Sequence, residues 1–221
     1  MLEKLIPDAD VVISMLPYVY HPKAAEVAIR LKTHFLTTSY VSDAMKKLEC
    51  RAKEAGVILL NECGVDPGTD HMSAQRVIHN VQQRGGKVRS FSSICGGLPA
   101  PEHSNNPFGY KFSWAPRGVL LAARNSATFM DESKEVVLAN AYDKVEVEHF
   151  DELDCDLEWY PNRNALPYLD IYGIRDEAHS IIRGTYRYSG WCSTIKALLK
   201  LGLFSLDEVN LSGLSYSRLS T

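Results

Sequence analysis

Along the first third of the chain, short apolar runs alternate with segments whose apolar residues recur at helical spacing. Asp10-Val11-Val12-Ile13-Ser14-Met15-Leu16 predicts a strand that Pro17 stops. Pro22, at a helix start, leads into Ala24, Val27, Ala28 and Leu31 on one face. Phe35-Leu36-Thr37-Thr38 predicts the next strand, and Ser42 or Asp43 caps a helix carrying Met45, Leu48, Ala52 and Ala55 that Gly56 ends. Val57-Ile58-Leu59-Leu60 predicts a third strand. Strands apolar on both faces and separated by helices require a parallel sheet covered on both sides and joined by right-handed crossovers. The expected fold is therefore α/β, opening on a partial doubly wound, Rossmann-like sheet.

Further on, Pro67-Gly68-Thr69-Asp70 reads as a helix start before Met72, Val77, Ile78 and Val81, with Asp70 at the positive end of the dipole. Lys87 to Ile94 alternates as a strand requires, with Val88 and Ile94 on one side and Phe91 on the other. Asp176 to Arg183 and Thr194 to Leu201 suggest two helices, the second ended by Gly202. No break in composition marks a domain border, and from Tyr160 the chain reads as mostly helical.

Charge and cysteine usage narrow the classes. The 221 residues carry a formal net charge of −3, with Lys and Arg scattered, so the electrostatic footprint of a nucleic-acid partner is missing. No apolar run is long enough to cross a bilayer, and Met1 to Pro7 lacks the features of a signal or transit peptide, which makes a cytoplasmic setting the expectation. The 5 cysteines (Cys50, Cys63, Cys95, Cys155, Cys192) are widely spaced without a CxxC, so neither a disulfide framework nor a zinc site is indicated.

Candidate chemistry collects just past the strands, because ligands of doubly wound sheets lie outside the strands' carboxyl ends. Those places are Ser14-Met15-Leu16-Pro17-Tyr18, Thr38-Ser39-Tyr40 and Glu62-Cys63-Gly64-Val65-Asp66-Pro67-Gly68. A fourth is the irregular run from Cys95-Gly96-Gly97 to Trp114, whose Gly, Pro, Asn and aromatic residues fit no helix or strand and read as a shaped loop beside a ligand. Asp66 to His71 holds two carboxylates and an imidazole, but its helix-start spacing, with no second cluster elsewhere, argues against a metal-dependent hydrolase. The expected metal is none. The chain also contains no GxGxxG turn to hold a pyrophosphate, which together with the early first strand predicts a chain cut inside its first domain.

These motifs, with Tyr160-Pro161-Asn162-Arg163 and Arg183-Gly184-Thr185-Tyr186-Arg187-Tyr188, resemble saccharopine reductase, the NADP-dependent, L-glutamate-forming saccharopine dehydrogenase family, from about Asp8 to about Phe204. The resemblance implies a partial NADP-binding, nucleotide-binding sheet over residues 1–66, a substrate domain over 67–221 that is α/β to about Trp159, and an oxidoreductase of lysine biosynthesis through aminoadipate. In that reaction glutamate condenses with aminoadipate semialdehyde and NADPH reduces the imine to saccharopine, reversibly. It implies Tyr40, Asp66 and Cys95 nearest the reacting centre. Substrate contacts would come from Ser39, Tyr40, Asp66, Arg163, Thr185, Tyr186 and Arg187. Ser14, Met15, Leu16, Ser39, Tyr40, Val65, Asp66 and Pro67 would line the cofactor. Arg163 and Arg187 suit a substrate with several carboxylates, because a planar guanidinium holds a carboxylate through two parallel hydrogen bonds. The partners implied are small molecules, with a homodimer as a further expectation.

Two alternatives stay open at this level. One is a truncated, catalytically inactive fragment with unpaired sheet edges and an uncovered apolar face, since the family's phosphate-binding turn and C-terminal part are missing from the sequence. The other is a polyamine-type imine reductase related to homospermidine synthases, against which the two arginines argue.

Overall fold

The computed structural model describes residues 2–208, so the end of the second predicted domain lies outside the described residues. The chain divides into two compact units, Met1–Asn80 and Val81–Thr221.

The first unit contains α1 (Leu2–Leu5), β1 (Val11–Ser14), α2 (His21–Arg30), β2 (His34–Thr37), α3 (Asp43–Lys46), α4 (Glu49–Ala55) and β3 (Leu59–Leu60). Helix α5 (Thr69–Gln83) then carries the chain into the second unit. The strands form a parallel sheet in the order β1-β2-β3, with Val11 opposite His34 and Phe35 opposite Leu59. Ala24, Ala25, Ala28 and Ile29 of α2 pack with Met45, Leu48 and Ala52 around Phe35. The small alanines let α2 lie close to the sheet. Ser42 caps α3 by accepting from the Met45 N–H at 3.2 Å. The single helix expected over Met45 to Ala55 is divided in two, because Leu48 N–H turns to the Met45 carbonyl in a tighter turn. The expectation of a sheet covered on both sides is not met: α2 to α4 cover one face, while Val11, Ile13, Ile58 and Leu60 are exposed.

The second unit holds β4 (Ser90–Cys95), α6 (Pro116–Ala122), β5 (Ala127–Asp131), β6 (Lys134–Leu138), β7 (Glu146–Phe150), β8 (Cys155–Pro161), β9 (Arg163–Asn164), α7 (Pro167–Ile171), β10 (Ser180–Tyr188) and α8 (Trp191–Lys200). Its sheet runs β6-β5-β10-β8-β7, with β4 also pairing β10 and β9 pairing β5. Strand β10 is the hub, parallel to β4 and antiparallel to β8. Tyr110, Val119, Ala123, Tyr142, Tyr160, Trp191 and Ile195 form the core beside it.

One predicted element is overturned here. Asp176 to Arg183 is not a helix: Ser180 to Arg183 pairs with Ser90 to Ser93 as the start of β10. Acidic residues followed by Ala, Ile and Arg mimic a helix locally. Ile181, Ile182, Thr185, Tyr186 and Tyr188 are β-branched or aromatic, and an available strand on each side decides the outcome. The expectation of a mostly helical part from Tyr160 is likewise not met: helix is confined to α7 and α8, and β9 and β10 join the sheet between Tyr160 and α8. Among the described residues no helix is long and apolar enough to cross a membrane.

Candidate functional site

In the first unit the strand ends meet around a side chain that pattern reading passes over. His21, the first residue of α2, is 2% exposed. Its Nδ1 lies 2.9 Å from the Ser14 hydroxyl, and its Nε2 lies 2.9 Å from that of Ser39 and 3.1 Å from that of Thr37. Thr37 Oγ1 in turn donates to the Ser14 carbonyl at 3.1 Å. Burial disfavours the charged ring and holds the His21 pKa below its ordinary value. The only sequence signal for His21 is its place before Pro22, directly after a strand-end loop.

A second cluster in this unit joins the loops after β2 and β3. The Tyr40 hydroxyl donates to Asp66 Oδ1 at 2.5 Å. Asn61 Nδ2 donates to the Ser39 carbonyl at 3.3 Å, and Glu62 Oε1 accepts from the Val41 N–H at 3.1 Å, so the loop bearing Ser39 and Tyr40 is tied to β3's extension. Met15 is 74% exposed, and Leu16 and Val65 are also exposed, whereas Ser14 is 4% exposed with its hydroxyl turned to His21. Pro67 is buried, and Gly68 N–H donates to Asp70 Oδ1 at 2.7 Å where α5 begins. His71 lies 3.6 Å from carboxylate oxygens of both Glu62 and Asp70.

In the second unit, Cys95 ends β4 directly beside Thr185 on β10. The strand then leaves through Gly96, where a Cβ would sit 2.8 Å from the Tyr186 carbonyl oxygen. The close approach that a Cys-Gly-Gly strand end suggested is therefore made to β10's own backbone, while Gly97 has open space around it. The long loop folds back onto the core: Tyr188 donates to the Pro99 carbonyl at 2.8 Å, and Tyr110 is buried against Trp191 with ring centroids 4.8 Å apart.

Alternation along β10 separates the predicted triplet. Thr185 and Arg187 share one face, and Tyr186 points to the other. There its hydroxyl donates to Glu148 of β7 and its ring meets Phe150 edge-on; burial and the Glu148 carboxylate both raise its pKa, burial first. Arg187 is 6% exposed, donates from Nη1 to the Tyr186 carbonyl at 2.7 Å, and places its guanidinium 5.1 Å from the Tyr110 ring and 5.3 Å from that of Trp191. Its Nε is buried without a hydrogen-bond partner among the described residues. Glu158, opposite Arg187 on β8, is also buried and accepts from the Cys192 N–H at 2.5 Å, near the start of α8. Burial, reinforced by this carboxylate, raises the Cys192 thiol, and burial likewise raises the phenols of Tyr142 and Tyr160. Glu158, Tyr110 and Trp191 frame Arg187; Tyr110 belongs to the loop already singled out, whereas Glu158 and Trp191 were not read from the sequence, and a lone acid within the apolar run Leu157-Glu158-Trp159-Tyr160 was the available clue.

Arg163 stands apart from Arg187. It is exposed, adopts φ 60°, and lines an open pocket of about 240 Å³ with Asn125, Ser126, Thr128 and Asn164. A non-glycine residue in that region costs roughly 1–3 kcal/mol and recurs at ligand clamps.

Fold and site together define a two-part α/β protein: a parallel sheet of nucleotide-binding type, then a mixed-sheet domain built around a buried arginine. Residues 1–60 match the saccharopine dehydrogenase NADP binding domain, and residues 64–218 match the saccharopine dehydrogenase C-terminal domain. The chain belongs to the saccharopine dehydrogenase family. It is 46% identical over 210 residues to saccharopine dehydrogenase [NADP(+), L-glutamate-forming] of Saccharomyces cerevisiae, covering 95% of this chain and 47% of that protein. The Schizosaccharomyces pombe protein of the same name is 48% identical over 209 residues, covering 94% and 46%. The solved apo structure of the Saccharomyces cerevisiae enzyme superposes with a TM-score of 0.81 at 44% identity, over 95% of this chain and 47% of that one. The chain thus spans about half the length of the curated relatives it matches.

Proposed function

We propose that this chain carries the substrate-binding residues and part of the cofactor surface of an NADP-dependent, L-glutamate-forming saccharopine dehydrogenase. The setting is cytoplasmic lysine biosynthesis, with a homodimer as the working assembly. The observation that carries the reading is Arg187. A guanidinium this deeply buried, with Nε unpartnered among the described residues, keeps an N–H for a further anion besides the buried Glu158 opposite it on β8, because a buried charge is costly unless its hydrogen-bonding groups are satisfied. A saccharopine carboxylate meets that need, with Thr185 beside it on the same strand face and Cys95 next to Thr185. Arg163, on its exposed strained turn, is assigned to a second carboxylate.

The strand ends of the first unit fit the nicotinamide end of the cofactor. Exposed Met15, Leu16 and Val65 offer apolar surface for a flat ring, and Ser39 and Tyr40 offer polar groups beside it. Asp66 completes this border beside the buried Pro67, while the sequence contains no GxGxxG cradle for the pyrophosphate. When bound, NADPH supplies the hydride that reduces the imine. Tyr40 and Asp66, already sharing a proton along one hydrogen bond, are assigned to hold or move protons at the substrate's nitrogen and carbinol oxygen.

Separate calorimetric titrations of the purified chain with saccharopine and with NADPH test the reading. Saccharopine binding that Arg163→Ala weakens, with NADPH binding unchanged, supports it. A folded sample that binds neither ligand withdraws it.

A further inference from the structure

The cluster around His21 fixes where its protons lie. Ser14 is buried, and its hydroxyl has one partner among the described residues, the ring's Nδ1 at 2.9 Å. Were Nδ1 protonated, the Ser14 hydroxyl proton would be buried with no acceptor, a rare and costly arrangement. Thr37, fully buried, gives its one hydroxyl proton to the Ser14 carbonyl and so faces the ring as an acceptor. Both constraints select the neutral ring with Nε2–H, which points at the Thr37 and Ser39 oxygens. Ser39 then accepts from the ring at 2.9 Å, and its own proton has no protein acceptor among the described residues. Ser39 is half-buried at the end of β2, so this proton faces the strand-end surface.

We propose that His21 is a positioning residue that sets the polarity of the Ser39 hydroxyl, holding it as a donor toward an acceptor oxygen of the ligand. This rests on the function proposed above and deepens it. The ligand atom that takes the Ser39 proton is a carboxylate or carboxamide oxygen. Ser14 is held inward as a donor to Nδ1 and contributes no hydroxyl to the ligand.

The test uses the full chain with ¹⁵N-labelled histidine rings, the His21 signals being assigned by their loss in His21→Gln. An unprotonated Nδ1 with a protonated Nε2 at neutral pH is expected; an Nδ1–H tautomer or a doubly protonated ring overturns the proposal. Separate titrations with NADPH and saccharopine identify the acceptor. Ser39→Ala is expected to weaken whichever ligand supplies it by about 3–10-fold. His21→Leu should cost about as much, with no further loss in the double variant, because one hydrogen bond is being removed by two routes. His21→Gln, which keeps an N–H where Nε2 stood, should restore most of the affinity. Additive losses, or unchanged affinity in Ser39→Ala, overturn the proposal. If His21→Leu does not fold, the ring signals of the wild-type chain still decide. If the wild type binds neither ligand, the proposed function fails while the tautomer still rules on His21.

Discussion

The Tyr40 hydroxyl donates to Asp66 at 2.5 Å, tying the loop after β2 to the loop after β3. Each residue alone reads as an ordinary turn or capping position. Joined, they form a proton-bearing pair at the carboxyl ends of two parallel strands, where such sheets bind ligands. Tyr40→Phe removes the donor and preserves the ring. Saccharopine affinity should then fall by about 3–10-fold with the fold intact. Calorimetry checks this, and an unchanged affinity would remove the pair from the substrate site.

Arg187 separates binding from stability. Replacing both buried charges by neutral groups is often neutral or stabilising, whereas removing one strands the other, so Arg187→Met is combined with Glu158→Gln, and the double variant should change unfolding free energy by no more than about 1 kcal/mol. The ring contacts of Arg187 with Tyr110 and Trp191 suit a thioether as well. Saccharopine affinity should nonetheless drop by about tenfold or more, the scale of a lost charge-assisted hydrogen bond. Equal affinity in the two proteins would show that Arg187 serves only the core.

The adjacent glycines after β4 should respond differently. A Cβ at Gly96 would lie 2.8 Å from the Tyr186 carbonyl oxygen, part of the central strand's backbone, and 2.9 Å from the Tyr186 Cβ. Gly96→Ala should therefore cost about 1–3 kcal/mol, as overpacking does. Gly97→Ala meets nothing within 4 Å and should stay within about 0.5 kcal/mol of wild type. Urea unfolding of both variants measures the contrast, and equal effects would mean that β4 and β10 do not approach as described.

His21 gives the stability a defined pH dependence. Its folded pKa is lowered by burial from the ordinary value of about 6.5, so below that pH the unfolded chain binds more protons at this site. The contribution is complete above about pH 6.5 and is lost as pH falls through the lowered folded value. The three side chains bonded to the ring are hydroxyls, so none of them titrates in this range. Thermal melts from pH 7 to pH 5 should show a steeper loss for wild type than for His21→Gln. Parallel curves would place the ring in water.

Thiol reactivity should follow the same burial logic. Cys50 and Cys63 are exposed, whereas Cys192 is buried with its thiol raised by desolvation and the Glu158 carboxylate. A thiol reagent at neutral pH should label Cys50 and Cys63 in the native chain and reach Cys192 only on unfolding. Mass spectrometry of native and denatured samples reads this out; native labelling of Cys192 would contradict the packing of α8 on β8.

The first unit was largely legible from the sequence because its signals are local. Apolar runs of strand length, Pro22 at a helix start, Ser42 as a cap and the pattern of three strands and intervening helices are all written within a few residues. The family resemblance was likewise carried by contiguous motifs. Tertiary structure alone decided what depends on distant partners. Asp176 to Arg183 looked helical until β4 and β8 offered β10 its backbone hydrogen bonds. Gly96 looked ready for a ligand until Tyr186 was seen against it. The resemblance marked Arg187 as a carboxylate binder, but its burial became visible only with Tyr110, 77 positions earlier, packed against it. His21 carried no signal beyond its place before Pro22, because its role exists only where β1, β2 and α2 bring three hydroxyls to one ring. Periodicity records which face of a segment is apolar, but hydrogen-bond polarity and charge burial depend on groups that only the folded chain places within 3 Å of each other.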